Sequence, residues 1–261
     1  MNSFHFQVRR WQTCGSDTMV VEQLIHAAAR LRDDVGPIGR KLVSEGSVDF
    51  CYNPVDYAWD VHEAYLRRMG GSGAQTVILG MNPGPHGMTQ SGIAFSATSV
   101  VRDLLGITDI PVNQPETPDP RRPVVGLKYP REEVSGTRLW GLLEEHYGDA
   151  DAIASRVFLV NHCPLTLFSG ARATNITPDK IAGPTARALL ERCDEHLREV
   201  VAALNAERVI GVGKFAESRA KDALRGCSVE VLGCWHPSPA SPLANRNGGA
   251  DWRANVREVL P

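Results

Sequence analysis

The sequence predicts an α/β fold: a single three-layer α/β/α domain around a central four-stranded, mainly parallel sheet. Four short β-branched runs carry this expectation: TVILG (76–80), RVFLVN (156–161), ERVIGVG (207–213) and SVEVLGC (228–234). Helix-period segments lie between them, and strands that alternate with helices pair in parallel with both sheet faces covered. The 261 residues are 43% hydrophobic and 22% charged, enough to bury a full core. No apolar stretch approaches the roughly 20 residues of a membrane span.

In chain order, VVEQLIHAAARLRD (20–33) carries apolar positions at helical spacing, and residues 1–40 read as an N-terminal helical extension. The α/β/α domain is expected over 41–261. An irregular segment should follow residue 33, then YNPVDYAWDVHEAYLRRMG, whose second half is a helix ending at Gly70-Gly71. SATSVVRDLLG and GTRLWGLLEEHYG read as helices between the first two strands, flanking a Pro- and Arg-rich surface loop over 108–131. PTARALLERCDEHLREVVAALN and KFAESRAKDALRG supply the remaining crossovers. There is no repeat and no interdomain linker.

The start, MNSFHFQVRRWQTCGSD, lacks the charged-then-apolar pattern of a secretion signal, so the expected location is a bacterial cytoplasm, or the nucleus in a eukaryote. Cysteines 14, 51, 163, 193, 227 and 234 form no C-x-x-C pair and read as reduced, scattered thiols without a metal. His5, His26, His62, His146 and His196 read as structural. Net charge is −2 and the pI about 6.4, so any nucleic-acid surface must be a local patch. Arg121 and Arg122 read as a small solvated cluster. A monomer is expected.

Ligands of such folds sit outside the carboxyl ends of the strands. Three unusual turns gather there: MNPGPHGM after the first strand, NHCPL closing the second, and CWHPSP after the fourth. The stretch LGMNPGPHGMTQSGIAF holds four glycines, and Gly lets a backbone approach a ligand closely. Three such turns on one edge make a site.

MNPGPHGM, NHCPL and HPSP, with EVSGTRLWG, VVRDLLGI and GVGKFAESRA between them, resemble the single-strand-selective monofunctional uracil-DNA glycosylases, a branch of the uracil-DNA glycosylase superfamily. The resemblance runs from about residue 52 to the C-terminus. It implies removal of uracil, and of 5-hydroxymethyluracil or related oxidised pyrimidines, from single- and double-stranded DNA without strand cleavage and without cofactor or metal. Asn82 would orient the attacking water and His236 stabilise the departing base. Asn161 would read the base edge and Phe95 stack on its face. Met81 would join the base site, with Gly84, Pro85, His86, Gly87 and Met88 forming the wall near the pyrimidine C5. Ser135, Gly136, Thr137 and Ser238 would anchor phosphates, with Arg246 and Lys214 adding local positive charge. Pro239 would lead into a wedge of Ala240, Ser241, Pro242, Leu243, Ala244, Asn245, Arg246 and Asn247. The chain departs from the family pattern at His86, usually aromatic, at Ser96, usually Gly, and by an NGGA insertion before Trp252.

The residue types suit that chemistry. A glycosidic bond breaks with positive charge growing on the sugar and negative charge on the base O2. One donor fixed toward such an oxygen is worth about 3–4 kcal/mol. Asn is a poor base, but water need only be positioned if the sugar is already cation-like. Activity should therefore be modest beside enzymes with a carboxylate there. No motif lysine offers a Schiff base.

Other readings stay open. Phe95 fits a core position, and His162 and Cys163 fit packing roles. GVGKFA (211–216) fits the dinucleotide pattern of an oxidoreductase, although Glu230 falls inside a strand and no ribose-binding acid closes one. Arg208 and Phe215 break the Walker phosphate loop. A non-catalytic module could hold uracil-containing DNA, and the mismatch-directed branch of the same superfamily also uses an NPG turn with Asn.

Overall fold

The structure is a computed structural model that describes residues 4–261, with side chains described from residue 17 onward. His5 and Cys14 lie outside the described side chains. The strands are β1 (Phe50–Tyr52), β2 (Thr76–Gly80), β3 (Val157–Asn161), β4 (Thr166–Ser169), β5 (Thr174–Ile176), β6 (Arg208–Val212) and β7 (Glu230–Cys234). The α-helices are α1 (Phe4–Ser44), α2 (Pro54–Tyr57), α3 (Trp59–Met69), α4 (Met88–Ser91), α5 (Val134–Tyr147), α6 (Ala150–Ala154), α7 (Pro184–Leu204), α8 (Lys214–Ala223), α9 (Pro242–Asn245) and α10 (Ala250–Arg257).

The expected sheet is present: four parallel strands in the order β3-β2-β6-β7. The chain leaves β2 toward β3 on one side and returns to β6 on the other. The carboxyl ends of β2 and its neighbours therefore flank the topological switch point, where open α/β sheets bind ligands. Val77, Ile78 and Leu79 are buried, as a central parallel strand covered by helices requires.

Two features differ from the sequence expectation. The segment after residue 33, expected to be irregular, continues as helix to Ser44, and α1 runs through residue 40. Asp34, Gly36 and Pro37 resemble a helix stop, and an interior Pro costs about 3 kcal/mol. Leu31, Val35 and Leu42 nevertheless extend the buried face of α1, packing in one core with Ala186, Leu189 and Cys193 of α7. Tertiary burial outweighs the local breakers there.

The second difference is an antiparallel sheet, β1-β4-β5, absent from the sequence expectation. Its strands have only three or four residues, too short to show alternation. Phe50 and Phe168 stack at 4.7 Å between ring centroids. The 108–131 loop closes over them: Tyr52 Oη donates to the Arg122 carbonyl at 3.1 Å and accepts the Asp119 N–H at 2.7 Å. Arg121 forks onto Asp119, and Arg122 Nε donates to the Ala173 carbonyl at 2.8 Å. The two arginines thus pin the loop to this sheet, which corrects their reading as a solvated cluster.

Acid sensitivity follows from the core. His62 of α3 is buried, with Nδ1 at 2.7 Å from the Gly92 carbonyl, and burial lowers its pKa from 6.5 to about 4. The unfolded chain binds this proton first, so the stabilisation is complete above about 6.5 and is lost as pH falls toward about 4. The unfolding free energy should fall through that window by about 1.4 kcal/mol per pH unit for one such His, and the urea midpoint with it. A midpoint independent of pH there would contradict this account.

Candidate active site

Gly80 ends β2 directly beside Asn161, which ends β3. The ladder continues past both strands: the His162 N–H donates to the Gly80 carbonyl at 2.9 Å, and the Cys163 N–H to the Met81 carbonyl at 2.8 Å. Met81 and Asn82 therefore rise beside NHCPL in fixed register. A Cβ on Gly80 would lie 2.1 Å from Asn161 Oδ1 and 2.6 Å from the Phe95 ring. The two side chains meet in the space that glycine leaves. Phe95 reaches it from a left-handed backbone conformation (φ 53°), a strain of roughly 1–3 kcal/mol for a non-glycine residue.

His236 follows β7. Gly213, at φ 86°, makes room for it, since a Cβ there would lie 3.3 Å from the His236 Cβ. From α10, Asn255 Oδ1 accepts the Trp235 N–H at 2.8 Å, and the buried Trp252 donates Nε1–H to the Trp235 carbonyl at 2.9 Å. His236 Nδ1 accepts the Ser238 N–H at 3.1 Å, so a neutral ring carries its proton on Nε2. Burial lowers the His236 pKa from 6.5, which favours that neutral form.

These groups line one cavity of about 390 Å³, which includes Met81, Asn82, Gly84, Pro85, Met88, Phe95, Asn161, Ser135, His236 and Ser238 of the expected site. The Phe95 and His236 rings are tilted with centroids 6.5 Å apart. Among the described residues, buried Asn82 Nδ2 has no hydrogen-bond partner, and Asn161 Nδ2 meets the thioether of Met88 at 3.2 Å. A buried amide donor so poorly satisfied calls for a polar ligand.

Three cavity residues were missed in the sequence: Glu133, Asn175 and Thr177. Asn175 lies in β5 and donates to the Pro83 carbonyl at 3.1 Å, tying the second sheet to the NPG turn. Glu133 Oε2 is buried and unpartnered, 2.4 Å from where a Gly84 Cβ would lie. Burial raises its pKa, while the backbone N–H groups of His86 and Ser135 pull the other way. Within REEVSG it reads as one more solvated acid; the glycines that accommodate it were the available signal.

The other expected residues lie elsewhere. His86 turns out of the cavity and stacks on Tyr129, with Nδ1 2.8 Å from the phenol oxygen, which corrects its place in the C5 wall. Gly87 packs on Ser96, whose carbonyl would be 2.4 Å from a Cβ, and Gly136 likewise on the Phe95 carbonyl at 2.1 Å. Thr137 donates its hydroxyl to the Val134 carbonyl at 3.1 Å within α5. Lys214 pairs with Glu217 at 3.2 Å but shares that acid with Lys221, whereas Arg246 pairs with Asp251 at 3.1 Å.

Pro239 to Asn247 form a projecting turn around α9 that carries the exposed Leu243 above a buried Ala244. Ala240 N–H donates to Ser238 Oγ at 3.2 Å, Ser241 N–H to the Ser238 carbonyl at 2.9 Å, and Asn247 Nδ2 to Asp251 at 2.9 Å. Asn245 Nδ2 donates to the Pro239 carbonyl at 2.7 Å. Arg138 of α5 braces the turn, donating to the Pro237 carbonyl and Asn245 Oδ1, each at 3.0 Å. In GVGKFA, a Cβ on Gly211 would lie 2.3 Å from the Glu217 nitrogen, so α8 closes tightly onto β6. His162 is bonded to Asp194 at 2.7 Å and is held beneath the site, and Cys163 is buried.

The family model of the uracil DNA glycosylase superfamily matches residues 68–258. The chain is 40% identical to the single-strand selective monofunctional uracil DNA glycosylase of Bos taurus, over 94% of this chain and 87% of the relative. It is 42% identical to that of Mus musculus, over 82% of this chain and 75% of the relative. Its fold is like that of the crystal structure of Pedobacter heparinus SMUG2, with TM-score 0.57 and 16% identity over 80% of this chain and 84% of that one.

The contact over Gly80 gives a direct test. Gly80→Ala forces Asn161 and Phe95 apart, and overpacking of this kind costs typically about 1–3 kcal/mol. A lowered thermal midpoint is expected; an unchanged one would show that the two side chains do not meet there.

Proposed function

We infer that this chain, which belongs to the uracil-DNA glycosylase superfamily, removes uracil from DNA by hydrolysing its N-glycosidic bond in the cavity between the three turns. The convergence of Asn82, Asn161, His236 and Phe95 on that cavity carries the reading. An extruded uracil stacks on Phe95. The Asn161 amide accepts from N3–H and donates to O4, an arrangement that cytosine reverses. A mismatched edge leaves buried polar groups unpaired, at about 1–3 kcal/mol each.

As the C1′–N1 bond breaks, its electron pair leaves with the base and charge gathers at O2. His236 Nε2–H donates to that oxygen while Nδ1 stays committed to the Ser238 N–H. This role requires no imidazolium. Water held by the Asn82 amide bonds to C1′, and its proton passes to bulk water. Among the described residues no lysine lines the cavity to capture C1′, which supports an abasic product with the strand intact.

The finer substrate range is part of the proposal. Single strands are accepted because flipping costs least there, and Leu243 enters the stack when the substrate is duplex. With His86 turned away, the space beside C5 is bounded by Gly84, Pro85 and Met88, and 5-hydroxymethyluracil is accepted.

The chain should release free uracil from a uracil-containing oligonucleotide, leaving alkali-labile sites. Asn82→Ala and His236→Ala should each slow single-turnover release by roughly 100- to 1000-fold, with DNA affinity nearly unchanged. Equal losses of rate and affinity would assign them to docking, and no release by the unsubstituted chain would reject the function. The rate should stay flat from pH 6.5 to 8, because burial keeps His236 neutral there. A decline tracking loss of an imidazolium would contradict its role.

A further inference from the structure

Beside the base cavity, and sharing Pro85 with it, lies a second pocket of about 220 Å³. Arg121, Arg122, Arg131, His86 and Tyr129 line it, and no carboxylate among the described residues does. The three cations differ in how they are compensated. Arg121 is neutralised by its fork onto Asp119. Arg122 is held rigidly, but by neutral groups: it donates to the carbonyls of Ala173 at 2.8 Å and Arg172 at 3.3 Å, over the Phe168 ring. Arg131 pairs with no carboxylate among the described residues, because both neighbouring acids are engaged elsewhere. Glu132 binds Thr98 and Ser99, and Glu133 turns toward Gly84.

We propose that this pocket is a phosphate-binding subsite for the substrate strand, in which Arg122, Arg131 and the His86 ring hold a backbone phosphodiester next to the extruded nucleotide. The inference rests on reading the adjacent cavity as the base site. Three observations favour a strand phosphate. The pocket and the cavity share Pro85 and are lined by neighbouring residues of one turn, so they adjoin. A chain of net charge −2 needs its attraction for DNA concentrated locally. Arg246 is already paired with Asp251, and Lys214, which shares Glu217 with Lys221, is not among the residues that line the base cavity or this pocket.

His86 provides a reporter. Burial lowers its pKa, and the charges of Arg131 and Arg122 lower it further. The groups facing it are Tyr129, the paired Arg121, Arg122, Arg131 and, at its backbone N–H, the Glu133 carboxylate. A phosphate between the cations and the ring opposes their effect and moves the His86 pKa up.

The test uses the full chain and a single-stranded oligonucleotide without uracil, so that binding is read without excision; uracil release, assayed separately, judges the base-site reading. Arg131→Gln should weaken binding roughly three- to tenfold near 0.1 M salt and reduce the salt slope by about 0.7, the value of one single-strand phosphate contact. Arg131→Lys should restore the slope. By NMR, saturating oligonucleotide should raise the His86 pKa, and less so in Arg131→Gln. An unchanged slope in Arg131→Gln, or an unmoved His86, overturns the proposal. So does a rise with inorganic phosphate that the oligonucleotide fails to produce, which would mark an adventitious anion site.

Discussion

The site depends on a steric constraint at one backbone position. In the parallel register of β2 and β3, Gly80 stands opposite Asn161, and the space its missing side chain leaves is where the Asn161 amide and the Phe95 ring meet. Any Cβ there would overlap both. The same device recurs: Gly136 admits the Phe95 backbone against α5, Gly213 admits His236, and Gly84 admits Glu133. The glycines of the strand-end turns let side chains from distant elements reach one cavity, and they place those side chains more than they shape its wall.

Electrostatics then divide the site into two parts. On the side proposed to take the base, burial favours a neutral His236 whose tautomer is set by a backbone N–H, and two amides offer directional hydrogen-bonding groups without net charge. On the outer side, beyond Pro85, the Arg122 guanidinium, which pairs with no carboxylate among the described residues, is held by carbonyls and an aromatic face. This arrangement suits a substrate whose reacting part is nearly neutral and whose backbone is anionic. It also reconciles a slightly acidic chain with a nucleic-acid substrate.

Much of this was legible in the sequence, for definable reasons. Four strands of five residues, each with an apolar centre, announce a parallel sheet, and their terminal turns contain residues that packing alone would not select. The second sheet was not legible, because three- and four-residue strands carry no period. Asn175 was missed along with it. The end of α1 was misread because Pro37 and Gly36 are local signals, whereas the burial of Val35 and Leu42 is a tertiary one. Charges were hardest to read. Whether an arginine is neutralised depends on which acid reaches it, and sequence proximity misleads here: Glu132 stands beside Arg131 but binds Thr98 and Ser99.

The most direct trial is a crystal structure of the chain bound to a single-stranded oligonucleotide carrying 2′-fluoro-2′-deoxyuridine, which resists glycosidic cleavage. The uracil should lie on Phe95, with its N3–O4 edge on the Asn161 amide and O2 within hydrogen-bond reach of His236 Nε2. A base bound outside that cavity, or one whose O2 points away from the imidazole, would contradict the mechanism at its root.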